Sequence, residues 1–193
     1  MTAGKQLWML VGGNGAGKST FYRLYLERQG LPFVNADILA RLAYPHAPEG
    51  HSYEAARLAE QQRNTLLISG SSFCFETVYS HPSKIDFLAR AKALRYQVIL
   101  VMIHLASAQL NRARIAERVA EGGHGVPDEK VTSGIPRMLE HVRMSLALCD
   151  LVRVYDNSFS DNPFIPVLSI EGGRVEQHLD SLPDWAKALL DGI

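Results

Sequence analysis

The chain carries, near its start, Gly12-Gly13-Asn14-Gly15-Ala16-Gly17-Lys18-Ser19. These residues satisfy the pattern G-x-x-x-x-G-K-[ST], whose glycines let successive backbone N–H groups point at phosphate oxygens. An apolar run, Leu7 to Val11, precedes the pattern, and a helix-compatible segment, Lys18 to Arg28, follows it. Because the motif requires this strand–loop–helix setting, the sequence predicts a phosphate-binding loop rather than a glycine-rich turn that merely caps a helix.

Each loop residue has an expected role in binding ATP and Mg²⁺. Lys18 is expected to bridge the terminal phosphates and to act in catalysis, and the Ser19 hydroxyl is expected to be a ligand of Mg²⁺. Thr20 is a weaker candidate for an adjacent phosphate contact. The residues predicted to bind the nucleotide are Gly12, Gly13, Asn14, Gly15, Ala16, Gly17, Lys18, Ser19 and Thr20.

Short apolar runs alternate with helix-like segments along the chain. Helical spacing between strands predicts right-handed crossovers and therefore parallel pairing. We expect a single domain over residues 1–193, a three-layer α/β/α fold with a mostly parallel five-stranded core sheet. Five short runs are predominantly apolar, which is typical of strands that are buried on both faces. These strand candidates are Leu7 to Val11, Phe33-Val34, Phe73 to Phe75, Val98 to Ile103 and Leu151 to Tyr155.

The C-terminal part of the chain has a different pattern. Val167-Leu168-Ser169-Ile170 and Arg174-Val175-Glu176 flank Gly172-Gly173, which is typical of a tight hairpin turn. We expect a β-hairpin appended to the main sheet, within a C-terminal extension over about residues 160–193.

Composition excludes several classes of protein. Twenty Lys and Arg residues balance twenty Asp and Glu residues, so the formal net charge is zero. This balance argues against a dedicated nucleic-acid-binding protein with a broad basic surface. The two cysteines, Cys74 and Cys149, lack the short spacing of zinc sites and lie in apolar stretches. No apolar run reaches the length of a membrane span, so a cytoplasmic protein without membrane partners is expected.

Polar residues at two strand ends are candidates for the acceptor side of a transfer reaction. Asp37 follows the second strand candidate, where it could be the base for an attacking hydroxyl or the cap of a helix over Ile38 to Leu42. Glu76 and Thr77 close the third strand candidate, where they could bind a polar acceptor, hold Mg²⁺ through water, or simply face solvent. The carboxyl ends of parallel strands meet at one edge of a sheet, beside the phosphate loop.

Two arginines are candidates for neutralising a transferring phosphoryl group. Arg114 and Arg118 are four residues apart and share one face of a helix over Ser107 to Glu121. The glycine-rich turn Gly122 to Pro127 follows, so a lid over about residues 107–137 is predicted. His124 in this turn is more simply read as ordering the loop than as an acid–base group.

These motifs follow one another in a fixed order within residues 5–158. In this order they resemble the zeta-toxin family of bacterial P-loop kinases. The motifs are the loop through Thr20, Val34-Asn35-Ala36-Asp37, Phe75-Glu76-Thr77, Arg114 and Arg118 before Gly122-Gly123-His124-Gly125-Val126-Pro127, and Tyr155-Asp156-Asn157-Ser158.

The resemblance implies a P-loop kinase fold and an ATP- and Mg²⁺-dependent kinase of a small molecule, typically at the 3′-hydroxyl of the sugar in UDP-N-acetylglucosamine. It implies Asp37 as the base, Glu76 and Thr77 toward the sugar nucleotide, and Arg114 and Arg118 around the transferring phosphoryl group. It also implies a small helical antitoxin that blocks the nucleotide site.

The lid departs from the family pattern at one position. Gly134 stands where relatives tend to carry an arginine. The absence of that arginine could weaken stabilisation of the transition state. Arg137, three residues later, is a candidate to replace that arginine and to bind substrate. Pro136 is expected to break the helix, leaving Asp128 to Ser133 and Arg137 to Leu148 as separate helices.

Two other hypotheses therefore stay open beside the sugar-nucleotide kinase. One is a kinase for another acceptor, such as a nucleoside, an antibiotic or a polynucleotide end. The other is a regulatory protein that binds ATP but turns it over weakly, for which Gly134 is the motivating residue.

Overall fold

The structure is a computed structural model that describes residues 4–120, 125 and 127–191. Seven strands form one sheet in the order β2-β3-β1-β4-β5-β6-β7. The first five strands are parallel, and β6 and β7 are antiparallel. The strands are β1 (Gln6–Val11), β2 (Phe33–Val34), β3 (Phe73–Thr77), β4 (Gln97–His104), β5 (Leu151–Asp156), β6 (Ile165–Glu171) and β7 (Arg174–Gln177).

Helices connect the parallel strands. The phosphate-loop helix begins as α1, widens into a π-helical turn at Tyr22–Leu26 and ends in a 3-10 turn at Glu27–Gln29. Shorter 3-10 turns lie at Pro48–His51 and Leu146–Leu148. The α-helices are α1 (Lys18–Phe21), α2 (Ala36–Ala43), α3 (Ser52–Ser69), α4 (Ser83–Ala93), α5 (Ala108–Ala120), α6 (Asp128–Ser145) and α7 (Asp184–Leu190).

The central strands are buried on both faces, which explains their continuous apolar runs. In β1, Leu7 and Met9 pack into one apolar cluster, whereas Leu10 packs into a second cluster. Successive side chains of a strand point to opposite faces, so the two clusters are the two layers of core between the sheet and its helices. The predicted α/β fold with a mostly parallel five-stranded core is confirmed.

The predicted C-terminal hairpin is confirmed as β6 and β7. Gly172 and Gly173 form its turn, with φ of 55° and 77°. Residues with a Cβ rarely adopt positive φ, so this glycine pair suits the tight turn between the two strands.

The expected helix break at Pro136 is wrong, because α6 continues through it. Its buried residues keep helical spacing across the proline, and Pro136 itself is exposed. Packing of this buried stripe therefore outweighs the hydrogen bond that the proline cannot donate. The stripe consists of Val131, Gly134, Met138, Val142 and Ser145.

Within the described residues, no helix is both long enough and apolar enough to cross a membrane.

Replacement of Gly134 by alanine should stabilise the protein. A Cβ at this position would meet Val78 Cγ1 at 3.8 Å, an ordinary contact, and alanine is favoured over glycine in a helix by about 1 kcal/mol. We expect Gly134→Ala to raise the free energy of unfolding by about that amount, measured by urea denaturation.

The same change at Gly30 is the matched control. A Cβ there meets nothing within 4 Å, but φ is 68°, so Gly30→Ala should lower the free energy of unfolding by about 1 kcal/mol. Equal signs for the two variants would contradict the described geometry of α6.

Candidate active site

Two asparagines outside the phosphate loop hold its backbone in place. Asn157, after β5, donates from Nδ2 to the carbonyl of Ala16 at 2.8 Å, and its Oδ1 accepts from the N–H of Phe164 at 3.2 Å. Asn111, on α5, donates from Nδ2 to the carbonyl of Asn14 at 2.7 Å. Both asparagines are buried, so the loop is fixed by tertiary hydrogen bonds as well as by its own sequence.

Close packing explains two of the loop glycines. Gly17 has φ of 99°, and a Cβ on it would lie 2.6 Å from Asn157 Nδ2. Gly15 has φ of 77°, and a Cβ on it would lie 3.0 Å from the carbonyl oxygen of Asn111. Glycine therefore permits both the left-handed backbone and the close approach of the two asparagines.

Lys18 places a buried ammonium group at the centre of the loop. Its side chain is 7% exposed, and Nζ donates to the carbonyls of Gly12 at 3.0 Å and Gly13 at 3.1 Å. Burial lowers the pKa of Lys18, while the nearby carboxylates of Glu76 and Asp37 act to raise it. The ammonium is thus desolvated within the field of both carboxylates, at a point where phosphate oxygens could replace the loop carbonyls.

Ser19 and Glu76 bring two oxygen donors together beside Lys18. Ser19 Oγ donates to Glu76 Oε2 at 2.6 Å, and Asn35 Nδ2 lies 3.5 Å from the same hydroxyl. Hydroxyl and carboxylate oxygens are the donors that Mg²⁺ prefers. In residues 4–120, 125 and 127–191, no three His, Cys, Asp or Glu side chains cluster as a metal site, so phosphate and water oxygens would complete the coordination.

The interpretation of Asp37 as a helix cap is wrong, because Asn35 caps α2. The Oδ1 atom of Asn35 accepts from the N–H of Ile38 at 3.1 Å, and α2 begins at Ala36. Asp37 therefore lies in the first turn of the helix, and its exposed side chain lines the cleft instead.

Two cavities meet at the loop. The loop cavity, of about 390 Å³, is lined on its own side by Ser19, Thr20, Arg114 and Arg118. The α3 cavity, of about 430 Å³, is lined on its own side by residues of α3, by Thr77 at the end of β3 and by the segment that follows β3. Both cavities are lined by Asn14, Lys18, Asn35, Asp37 and Glu76.

The two cavities suit two reactants whose reacting atoms meet between them. The loop cavity is lined by the phosphate loop and by four arginines, Arg23, Arg41, Arg114 and Arg118, and it would hold a triphosphate. The α3 cavity shares Lys18 and Asp37 with the loop cavity and has room for a second small molecule.

Some predicted site residues lie elsewhere. Arg137 is exposed and donates to the carbonyl of Ser133 at 3.1 Å and to its hydroxyl at 3.0 Å, and it lines neither cavity. Gly134 lies in the buried stripe of α6 and contributes no cation, and a Cβ on it would meet Val78 Cγ1 at an ordinary contact distance of 3.8 Å. His124 and the neighbouring glycines Gly122 and Gly123 lie outside the described residues.

Asn111 and Asn157 were the functional residues that sequence reasoning missed or undervalued. Asn111 lies within the predicted α5 helix, where a single asparagine gives no signal of its own. Asn157 enters the sequence analysis only as part of the motif Tyr155-Asp156-Asn157-Ser158, which gives it no role of its own. The polar residue at a buried position of an amphipathic helix was the only available clue to Asn111.

Solved structures show where this fold recurs. The AvrRxo1-ORF1:AvrRxo1-ORF2 complex with sulphate ions has a TM-score of 0.73 and 19% identity, covering 92% of this chain and 62% of that chain. The same complex with ATP gives a TM-score of 0.72. This chain therefore spans about three fifths of the length of those relatives. At such identities the likeness shows the fold alone.

Two further structures have the same fold. One belongs to the PezAT chromosomal toxin–antitoxin system of Streptococcus pneumoniae, with a TM-score of 0.61 and 16% identity over 81% of this chain and 70% of that chain. The other is a gluconokinase from Sinorhizobium meliloti 1021, with a TM-score of 0.51 and 17% identity over 79% of this chain and 82% of that chain.

Sequence comparison gives the family. An uncharacterized protein of Haemophilus influenzae is 28% identical over 134 residues, which are 66% of this chain and 95% of that protein. The family model described as "AAA domain" matches residues 7–142, which is more than half of the chain. The match includes the phosphate loop, Asp37, Glu76, Arg114 and Arg118, and the chain belongs to the AAA domain family.

Proposed function

We propose that the protein is an ATP- and Mg²⁺-dependent kinase that transfers the γ-phosphoryl group of ATP to a hydroxyl of a small molecule. The observation that carries the proposal is the meeting of two cavities at Lys18, Asp37 and Glu76. A hydrolase needs one cavity for the nucleotide and access for water, whereas a kinase needs a second cavity for the acceptor. The ATP-bound relative and the gluconokinase of the same fold support this assignment.

Asp37 is the proposed general base. Its exposed carboxylate lines both cavities, and with Asn35 as the cap of α2 it is not needed at the helix end. As the acceptor oxygen forms a bond to the γ-phosphorus and the bond from that phosphorus to the β–γ bridging oxygen breaks, Asp37 takes the hydroxyl proton. This step conserves charge and requires no further reactant.

Lys18, Arg114 and Arg118 are proposed to neutralise the charge on the phosphates. The Lys18 ammonium would exchange its loop carbonyls for phosphate oxygens, and the guanidinium groups on α5 face the same cavity. Preorganised cations stabilise the spread charge of a phosphoryl-transfer transition state without reorganisation. Residues 107–137 remain our proposal for the lid.

Ser19 and Glu76 are proposed to hold Mg²⁺. Their 2.6 Å hydrogen bond places the two oxygen atoms side by side. A cation bound to both oxygens would turn the hydroxyl hydrogen of Ser19 away from Glu76. Bound Mg²⁺ would neutralise phosphate charge and orient the triphosphate. Glu76 is therefore assigned to the metal side, rather than to the sugar side that the zeta-toxin resemblance implies. Thr77, which lines the α3 cavity, stays a candidate for the acceptor.

UDP-N-acetylglucosamine is the acceptor that we propose first. The support is the zeta-toxin resemblance together with the PezAT structure of the same fold. A nucleoside, an antibiotic or a polynucleotide end is the alternative acceptor. The toxin–antitoxin neighbour also motivates a small antitoxin as a protein partner, which would cover the loop cavity.

A weakly active regulatory protein is the second candidate function. It is favoured by one observation, since Gly134 contributes no cation and Arg137 points its hydrogen bonds at Ser133. This candidate predicts tight ATP binding with negligible transfer, and faster transfer in Gly134→Arg.

Incubation with ATP, Mg²⁺ and a panel of acceptors tests the proposed function. The panel holds UDP-sugars, nucleosides, aminoglycosides and oligonucleotide ends, and mass spectrometry detects the acceptor that gains a phosphoryl group. We expect one class to be phosphorylated by the wild type and none by Lys18→Ala. Tight ATP binding without transfer to any acceptor would instead favour the regulatory candidate.

Asp37→Asn should lower kcat by about 10²–10⁴-fold, because the amide cannot take the hydroxyl proton. ATP affinity, measured by calorimetry, should change little, since none of the described hydrogen bonds of the loop backbone involves Asp37. The control is Asp180→Asn, an exposed aspartate that lines neither cavity. A variant at position 37 with wild-type kcat would remove Asp37 from the mechanism.

Glu76→Gln should raise the Mg²⁺ concentration needed for half-maximal turnover by on the order of tenfold or more, because the amide removes a charged oxygen donor. Turnover measured against free Mg²⁺ at saturating ATP checks this result. Glu171→Gln, at the end of β6, is the matched control. An unchanged Mg²⁺ dependence would return Glu76 to the acceptor side.

A further inference from the structure

The α3 cavity contains a buried cation that the proposed transfer step does not use. Arg63 is 7% exposed, and its guanidinium carbon lies 5.3 Å from the ring centroid of Phe75 and 5.9 Å from that of Phe87. Its Nε is buried without a hydrogen-bond partner. Among the residues that the structure describes, none forms an ion pair or a hydrogen bond with this guanidinium.

Burying Arg63 without a carboxylate is unfavourable. The two aromatic rings stabilise a cation through their π faces, but they do not replace the lost hydration or satisfy the N–H donors. Burial accordingly lowers the pKa of Arg63, and Glu60 on the same helix only partly offsets the effect. A methionine of similar volume could fill this space without that cost, so the fold alone does not explain an arginine here.

Lys84 is a second cation at the same wall. It lies in the first turn of α4, lines the α3 cavity, and donates from Nζ to Ser83 Oγ at 3.2 Å. Burial and the charge of Arg63 both lower the pKa of Lys84, whereas Glu60 raises it. The positive charges of Arg63 and Lys84 therefore oppose each other at the wall of one cavity, and an anion bound to both would stabilise them.

Arg63 and Lys84 lie in the cavity where the proposed phosphoryl transfer takes place. Arg63 and Lys84 line the same cavity as Lys18 and Asp37. The other charged or titratable side chains that line it are Tyr53, Arg57, Glu60, Glu76, Tyr79 and His81. A small molecule with an oxyanion at one end could therefore contact the cation pair while its hydroxyl faces Asp37.

We propose that Arg63 and Lys84 form an oxyanion subsite that binds a phosphate or carboxylate group of the acceptor. The subsite rests on the proposed function, because it assigns the α3 cavity to the acceptor. It makes the acceptor an anionic hydroxy compound and selects against neutral sugars and nucleosides. Charge-assisted hydrogen bonds from a desolvated guanidinium give both affinity and a fixed orientation.

Calorimetric titration of pyrophosphate tests the subsite without any turnover. The protein is first saturated with AMP-PNP and excess Mg²⁺, so that the phosphate loop is filled. We expect one equivalent of pyrophosphate to bind to the wild type, and Arg63→Met to bind it at least about tenfold more weakly. Arg174→Met, on the exposed strand β7, is the matched control and should bind as the wild type does.

Malonate in the same titration distinguishes the two sources of the oxyanion. Selective binding of pyrophosphate assigns a phosphate-bearing acceptor, and selective binding of malonate assigns a carboxylate-bearing acceptor. The subsite is overturned if neither anion binds to the wild type, or if Arg63→Met binds both as tightly as the wild type.

Thermal unfolding separates a binding role from a structural one. Arg63→Met should unfold at the wild-type temperature or higher, and pyrophosphate should raise the unfolding temperature of the wild type only. A lower unfolding temperature with unchanged anion binding would assign Arg63 to packing against Phe75 and Phe87. If Arg63→Met does not fold, the same titration is carried out with Lys84→Met, which we also expect to bind pyrophosphate more weakly.

The subsite and the proposed function fail in different ways. If pyrophosphate binds through Arg63 but no hydroxyl compound is ever phosphorylated, the subsite stands and the kinase proposal is wrong. If neutral acceptors are phosphorylated equally well by the wild type and Arg63→Met, the kinase stands and the subsite is wrong.

Discussion

The buried ammonium of Lys18 is the constraint on which the site depends. Nearby oxygen atoms stabilise a desolvated ammonium group, and here the carbonyls of Gly12 and Gly13 hold it within the field of Glu76 and Asp37. The topology supplies these groups, because β1, β2 and β3 are neighbouring parallel strands whose carboxyl ends share one edge of the sheet. Under the proposed function, phosphate oxygens would replace the loop carbonyls and strengthen the same interaction.

Three asparagines hold the loop and Asp37 in place at this edge of the sheet. Asn111 and Asn157 come from elements on the far side of β4, and they fix the loop through buried hydrogen bonds to its carbonyls. Asn35 caps α2, which leaves the Asp37 carboxylate at the cleft. The loop cavity and the α3 cavity therefore keep a fixed relation to Lys18, as in-line transfer between two bound molecules requires.

Local patterns in the sequence predicted the parallel core, the Gly172-Gly173 hairpin and the edge at which Asp37 and Glu76 lie. They failed where tertiary contacts decide. Pro136 predicted a helix break, but a buried stripe on both sides of it keeps α6 continuous. Helical spacing places Arg63 on one face of α3 with Ala55, Ala59 and Leu67. It could not show that the rings of Phe75 and Phe87, from β3 and α4, cover the guanidinium.

The most direct measurement is a crystal structure grown with ADP, Mg²⁺ and aluminium fluoride, which mimics the transferring phosphoryl group. The aluminium fluoride should lie between Lys18 Nζ and the Asp37 carboxylate, with Mg²⁺ bound by Ser19 and Glu76. A fluoride group bound at the loop while the Asp37 carboxylate faces away from it, or a nucleotide bound elsewhere on the chain, would contradict the convergence of these two groups on one reaction centre.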